Sequence, residues 1–199
     1  MTDENLTKQL RLFVAIVVPD AVRDEMIRVQ RELQPLAPSG AVRWAKLEQF
    51  HLTLRFLGDV PSNRVAALQE AVREVCSGVP ALPLCARGVG FFPNAHSPRV
   101  VWVGVNDDEN CLAKLQKKIE SAVRPFTAGQ GGEDFAGHVT LGRFKQFRRP
   151  EIGKLTACAE TMKDRVFGEW PARKIEIIRS ELSSVGARYT ALAAICLAK

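Results

Sequence analysis

Three histidines occur in 199 residues, and two of them open the same kind of tetrapeptide. His51-Leu52-Thr53-Leu54 and His138-Val139-Thr140-Leu141 both read His-x-Thr-Leu. On an extended strand, residues two apart share a face. His51 and Thr53 therefore point one way and Leu52, Leu54 and Phe56 the other. His138 and Thr140 likewise oppose Val139 and Leu141. An apolar side can bury, which leaves the His/Thr side for water, a partner or a substrate. A lone strand histidine is most often structural. A pair in equivalent places suits proton transfer, because imidazole titrates near neutrality and one ring can accept a proton while the other donates one. That is the requirement of an in-line displacement at a phosphodiester carried out without a metal. The threonine hydroxyls and a cation can hold the non-bridging oxygens as charge develops.

The elements that must position these motifs follow from hydrophobic periodicity. Residues 11–18 read as a buried strand. Pro19-Asp20 then opens a helix with Val22, Met26, Val29 and Leu33 on one face, closed by Pro35 and Pro38. Residues 51–57 form a half-buried strand. A second helix carries Val65, Leu68, Val72 and Val75. Residues 81–92 read as strand and turn, and residues 99–105 as another strand. A helix with Leu112, Leu115, Ile119 and Val123 follows, with Asp107-Asp108 as its cap. Residues 138–144 are a strand, Pro150 starts a shorter helix, and 173–182 and 188–197 are the last strands. The order strand, helix, His-strand, helix occurs twice, and the histidines lie 138 − 51 = 87 residues apart. Matched order at matched spacing predicts two similar lobes. If these are related by an approximate two-fold, both His/Thr faces meet across one cleft.

Composition is that of a globular chain, 46% hydrophobic and 25% charged, with a net charge of +6. No apolar run is long enough for a membrane helix, and the polar N-terminus does not read as a signal peptide. Residues 137–188 hold 11 Lys/Arg against 6 Asp/Glu, so most of the excess charge falls there. The five cysteines lack C-x-x-C spacing and read as buried reduced thiols of a cytoplasmic protein. No metal-binding or P-loop pattern is present; Gly129–Gly132 reads as a flexible loop. His96 lies in a proline-flanked loop and reads as solvated. Arg55 shares the His51/Thr53 face by parity. Residues 143–149 interleave basic and aromatic side chains, as either a solvated strand end or a stripe for single-stranded nucleic acid.

The stretches Val42-Arg43-Trp44, His51 to Gly58, His138 to Arg143 and Arg188 to Leu192 carry a resemblance. The chain resembles the 2′-5′ RNA ligase family, also called RNA 2′,3′-cyclic phosphodiesterases, within the two-histidine phosphoesterases. The resemblance implies an α+β fold of two pseudo-symmetric lobes, each with an antiparallel sheet lining a central cleft and helices outside, in one two-lobed domain over residues 1–199. It implies a metal- and cofactor-independent opening of a 2′,3′-cyclic phosphate RNA end to a 2′-phosphate. His51 would protonate the leaving O3′ and His138 would activate water. Thr53 and Thr140 would contact the phosphate, Arg143 would clamp its oxygens and Phe56 would stack on a base. Strand parity opposes the last two assignments, because a position five past the histidine faces away from it. Gly142 can mark a bulge that re-aims Arg143. Phe56 has no such marker and reads more readily as core packing. Two alternatives stand beside this one: a phosphodiesterase of small cyclic or 2′-5′ linked nucleotides, and an idle RNA-binding module. The partner expected is RNA, with no membrane, and the chain is expected to be a monomer.

Overall fold

The computed structural model describes residues 8–127, 135–145, 147, 149–183 and 186–198. Nine strands and four helices follow one another in it. The strands are β1 (Gln9–Val17), β2 (Val42–Trp44), β3 (His51–Pro61), β4 (Leu82–Phe92), β5 (Val100–Asn106), β6 (His138–Phe144), β7 (Val166–Ala172), β8 (Lys174–Ser183) and β9 (Gly186–Cys196). The helices are α1 (Asp20–Leu33), α2 (Val65–Cys76), α3 (Cys111–Val123) and α4 (Gly153–Thr161). The strands make two antiparallel sheets, in the orders β3-β1-β8-β9 and β2-β6-β5-β4-β7. The fold is α+β and bilobal, as the resemblance implied.

Each helix forms where the sequence pattern placed one; in α2, Leu68 and Val72 are buried while Val65 and Val75 are half-buried. Val22, Met26, Val29 and Leu33 of α1 are buried, as are Leu112, Leu115, Ile119 and Val123 of α3. Asp107 caps α3 through its carboxylate, which accepts the amides of Cys111 and Leu112 at 3.0 and 2.5 Å. The helices cross between lobes. α1 follows β1 of the four-stranded sheet but packs on β7 and α4 beside the five-stranded one. α3 follows β5 of the five-stranded sheet but packs on β3 and α2 beside the four-stranded one. Each half of the repeat therefore covers the sheet of the other.

Two strands were not legible in the sequence. β2 is three residues long, and β7 contains Gly168 and Pro171, which argue against a strand. Both lie at an edge of the five-stranded sheet, where proline is tolerated because one side of the backbone needs no partner. Residues 82–92 form one continuous strand rather than strand and turn. Of the cysteines, Cys76 is buried, Cys196 is exposed and the other three are intermediate; all five carry free thiols. Burial holds the Cys76 thiol up at about 11, so it is protonated and inert at neutral pH. The Gly129–Gly132 segment lies outside the described residues.

Candidate active site

β3 and β6 approach each other between the sheets, and a cleft of about 620 Å³ opens there. Its lining includes His51 and Thr53 from β3 together with His138 and Thr140 from β6. Their leucine and valine neighbours, Leu52, Leu54, Val139 and Leu141, are buried on the other side. Both histidine–threonine faces thus meet in one volume.

Phe56 and Arg143 line the same cleft. The parity objection fails because each motif strand carries a bulge at the same place. In β3, Val14 pairs with Arg55 and Ala15 with Thr53, so Leu54 is an extra residue. In β6, Val101 pairs with Gly142 and Trp102 with Thr140, so Leu141 is extra. One inserted residue returns the fifth position to the histidine's side. Phe56 is 60% exposed, which overturns its reading as core. The same shift removes Arg55 from the cleft face. Its Nε lies 2.9 Å from Glu120 of α3, with the side chain mostly buried. His96 is exposed in its loop and does not reach the cleft. Of the interleaved run 143–149, Phe144 packs against the core and stacks edge-on with Phe147, while Arg143 faces the cleft. Gln146 and Arg148 lie outside the described residues.

Each imidazole is held by two aromatic rings. His51 stacks on Phe13, centroids 4.7 Å apart, and meets the edge of Tyr189 at 5.1 Å. His138 meets the edge of Phe92 at 4.8 Å and lies 6.4 Å from Trp102. Trp102 can lie flat because Gly90 sits beneath it; a Cβ there would fall 2.3 Å from the indole. Burial disfavours the charged form of both histidines. It pulls His51 down to about 4 and lowers His138, with Arg143 adding to the second shift and a hydrogen bond opposing it. That hydrogen bond fixes a tautomer. Nδ1 of His138 lies 2.7 Å from the carbonyl oxygen of Ala136, which can only accept. Nδ1–H therefore donates, and Nε2 is left with a lone pair.

The electrostatics of the cleft are one-sided. Arg11, Arg43, Lys46 and Arg143 line it, and no described lining residue is acidic. Arg43 and Arg143 face each other directly across the β2–β6 pair, an unfavourable placement unless an anion lies between them. Sequence reasoning gave no role to Arg11, Arg43, Lys46 or the aromatic rings. One signal was available: Tyr189 is the chain's single tyrosine and lies in a strand predicted to close the sheet.

A stability prediction follows from His51. Folded, it titrates near 4; unfolded, near 6.5. Between those values the unfolded chain binds more protons, so stability is full above pH 6.5 and falls as the pH drops toward 4. The loss attributable to this ring is about 3 kcal/mol. Urea unfolding of wild type and His51→Phe across this range should show the wild type losing that much more. Parallel pH curves would refute the assignment.

Comparison with known proteins places this architecture. The sequence profile described as "LigT like Phosphoesterase" matches residues 16–102. An RNA 2′,3′-cyclic phosphodiesterase of Archaeoglobus fulgidus is 32% identical over 180 residues, covering 90% of this chain and 96% of the relative. The chain belongs to the LigT-like phosphoesterases. A second relative of that name, from Aquifex aeolicus, is 29% identical and covers 92% of this chain and 95% of its own. Among LigT-like folds, Escherichia coli LigT complexed with 3′-AMP superposes with a TM-score of 0.76 at 23% identity, over 96% of this chain and all of that one. A Thermus thermophilus protein superposes at 0.73 with 25% identity, over 94% and 98%. Among the described residues, no helix of this LigT-like chain is long and apolar enough to cross a membrane, and no three His, Cys, Asp or Glu side chains gather as metal ligands.

Proposed function

We propose that this chain is a metal-independent RNA 2′,3′-cyclic phosphodiesterase that opens the cyclic end to a 2′-phosphate. The convergence of two His/Thr pairs on one cationic cleft carries this reading. His138 is the base. Its Nε2 lone pair takes a proton from water, whose oxygen attacks phosphorus. The P–O3′ bond breaks, and His51 gives its proton to O3′. The phosphodiester's own negative charge beside His51 raises the ring's pKa and keeps it protonated. Arg143 and the hydroxyls of Thr53 and Thr140 hold the non-bridging oxygens, and exposed Phe56 offers a stacking face to a base. Replacing water by an RNA 5′-hydroxyl turns the same displacement into 2′-5′ ligation. The site is complete within one chain, which supports action as a monomer and as one two-lobed domain over residues 1–199. Five free thiols fit a reducing compartment such as the cytoplasm.

The test is a product assay in EDTA, using a short RNA that ends in a 2′,3′-cyclic phosphate. Chelator-insensitive formation of the 2′-phosphate is expected. A 3′-phosphate would mean that O2′ leaves and that the substrate sits reversed. No conversion by folded protein would favour binding without turnover.

A further inference from the structure

Gln30 is the one polar side chain that is fully buried among the described residues. It lies on α1, and its Nε2 donates to two carbonyls, Ala45 at 2.8 Å and Leu141 at 2.7 Å. Leu141 is the bulge residue of β6. An extra residue disrupts the ladder locally, so a hydrogen bond from outside the sheet can hold the position of the bulge. The Leu141 carbonyl already accepts the Ala45 amide at 2.8 Å, and Gln30 adds a second donor that ties the bulge residue to α1.

The other half of the molecule repeats this arrangement. Gln116 lies on α3, and its Nε2 donates to the carbonyl of Leu54 at 3.3 Å. Leu54 is the bulge residue of β3. The two glutamines are 86 residues apart, one fewer than the histidines they serve. Each reaches across the lobes, α1 to the second motif and α3 to the first. We infer that Gln30 and Gln116 are a symmetric pair of positioning residues, holding the two bulges that turn Arg143 and Phe56 into the cleft. The inference rests on the reading of Arg143 and Phe56 as groups that meet the substrate.

Neither glutamine touches the cleft, so its effect must pass through the residue it aims. In Gln30→Met, amide exchange at Gly142 and Arg143 should quicken about tenfold while β4 and β5 keep their protection. kcat/KM for the cyclic phosphate should fall about tenfold, chiefly through KM. In an Arg143→Ala background the same substitution should cost under about twofold, because the aimed group is gone. Gln116→Met should behave in the same way against Phe56→Ala, and its partly exposed position provides a readable variant if Gln30→Met does not fold. Equal losses in both backgrounds would make the glutamines merely structural and overturn the inference. Unchanged exchange at the bulges would do the same. If wild type fails to open the cyclic phosphate, the functional reading fails by itself, while the exchange measurement still decides whether the glutamines hold the bulges.

Discussion

His138→Ala should lower the rate of cyclic-phosphate opening about 10²- to 10⁴-fold, the range by which a positioned acid or base accelerates proton transfer. His51→Ala should cost a similar factor, yet the two variants should differ in pH dependence. The base must be neutral and the acid charged. Wild-type kcat should therefore fall at low pH as His138 gains a proton and at high pH as His51, raised by the bound anion, loses one. Removing His138 should flatten the acid limb and removing His51 the alkaline limb. Loss of the opposite limbs would exchange the roles of the two rings. The backbone contact at Ala136 favours the stated assignment, because only His138 has one nitrogen fixed as donor by a carbonyl among the described residues. Both variants should stay folded, since each ring packs against aromatic neighbours at the cleft wall rather than within the main core.

Gly137→Ala should be strongly destabilising, because its added methyl group would meet backbone at the shortest distance of any described glycine. A Cβ at Gly137 would lie 2.2 Å from the carbonyl oxygen of Val105 and 3.2 Å from Leu112. The first of these is backbone, which cannot rotate aside. The Gly137 carbonyl also accepts the Val105 amide at 2.8 Å, so the two backbone segments are locked at this distance. Relief requires the start of β6 to move off β5, and His138 is the next residue. We expect a loss of about 2 kcal/mol, as for other overpacked sites, and a Tm lower by about 4–8 °C. Activity at a temperature where the variant is folded should fall at least about tenfold, because small displacements of catalytic groups are costly. Calorimetry and rate measurements on the same preparation check both. Unchanged Tm and rate would show that β6 yields freely at its start.

Much of this was legible in the sequence. The histidine–threonine faces, the helices and the doubled order follow from periods of two and 3.6, which depend on side-chain chemistry alone. The bulges do not. Leu54 and Leu141 look like ordinary apolar strand residues, and nothing local distinguishes an inserted residue from a paired one. Parity counted through them put Arg55 in the cleft and Phe56 in the core, both incorrectly. The bulges are set by tertiary hydrogen bonds from Gln116 and Gln30, more than 60 residues away in each case. The edge strands β2 and β7 were missed for a related reason: an edge demands partners on one side only and tolerates sequences that a central strand would reject.

The crossing of the helices has a consequence for how such a chain can be divided. α1 and α3 are each made by one half of the sequence and used by the other, an exchange of parts within a single polypeptide. Cutting between β4 and β5 would separate the two halves of the repeat but would not free two small proteins. The first fragment would keep α1 without β7 and α4, on which it packs, and the second would keep α3 without β3 and α2. Whatever duplication the repeat reflects, neither copy can now be dropped, replaced or inherited alone without exposing the core of its neighbour.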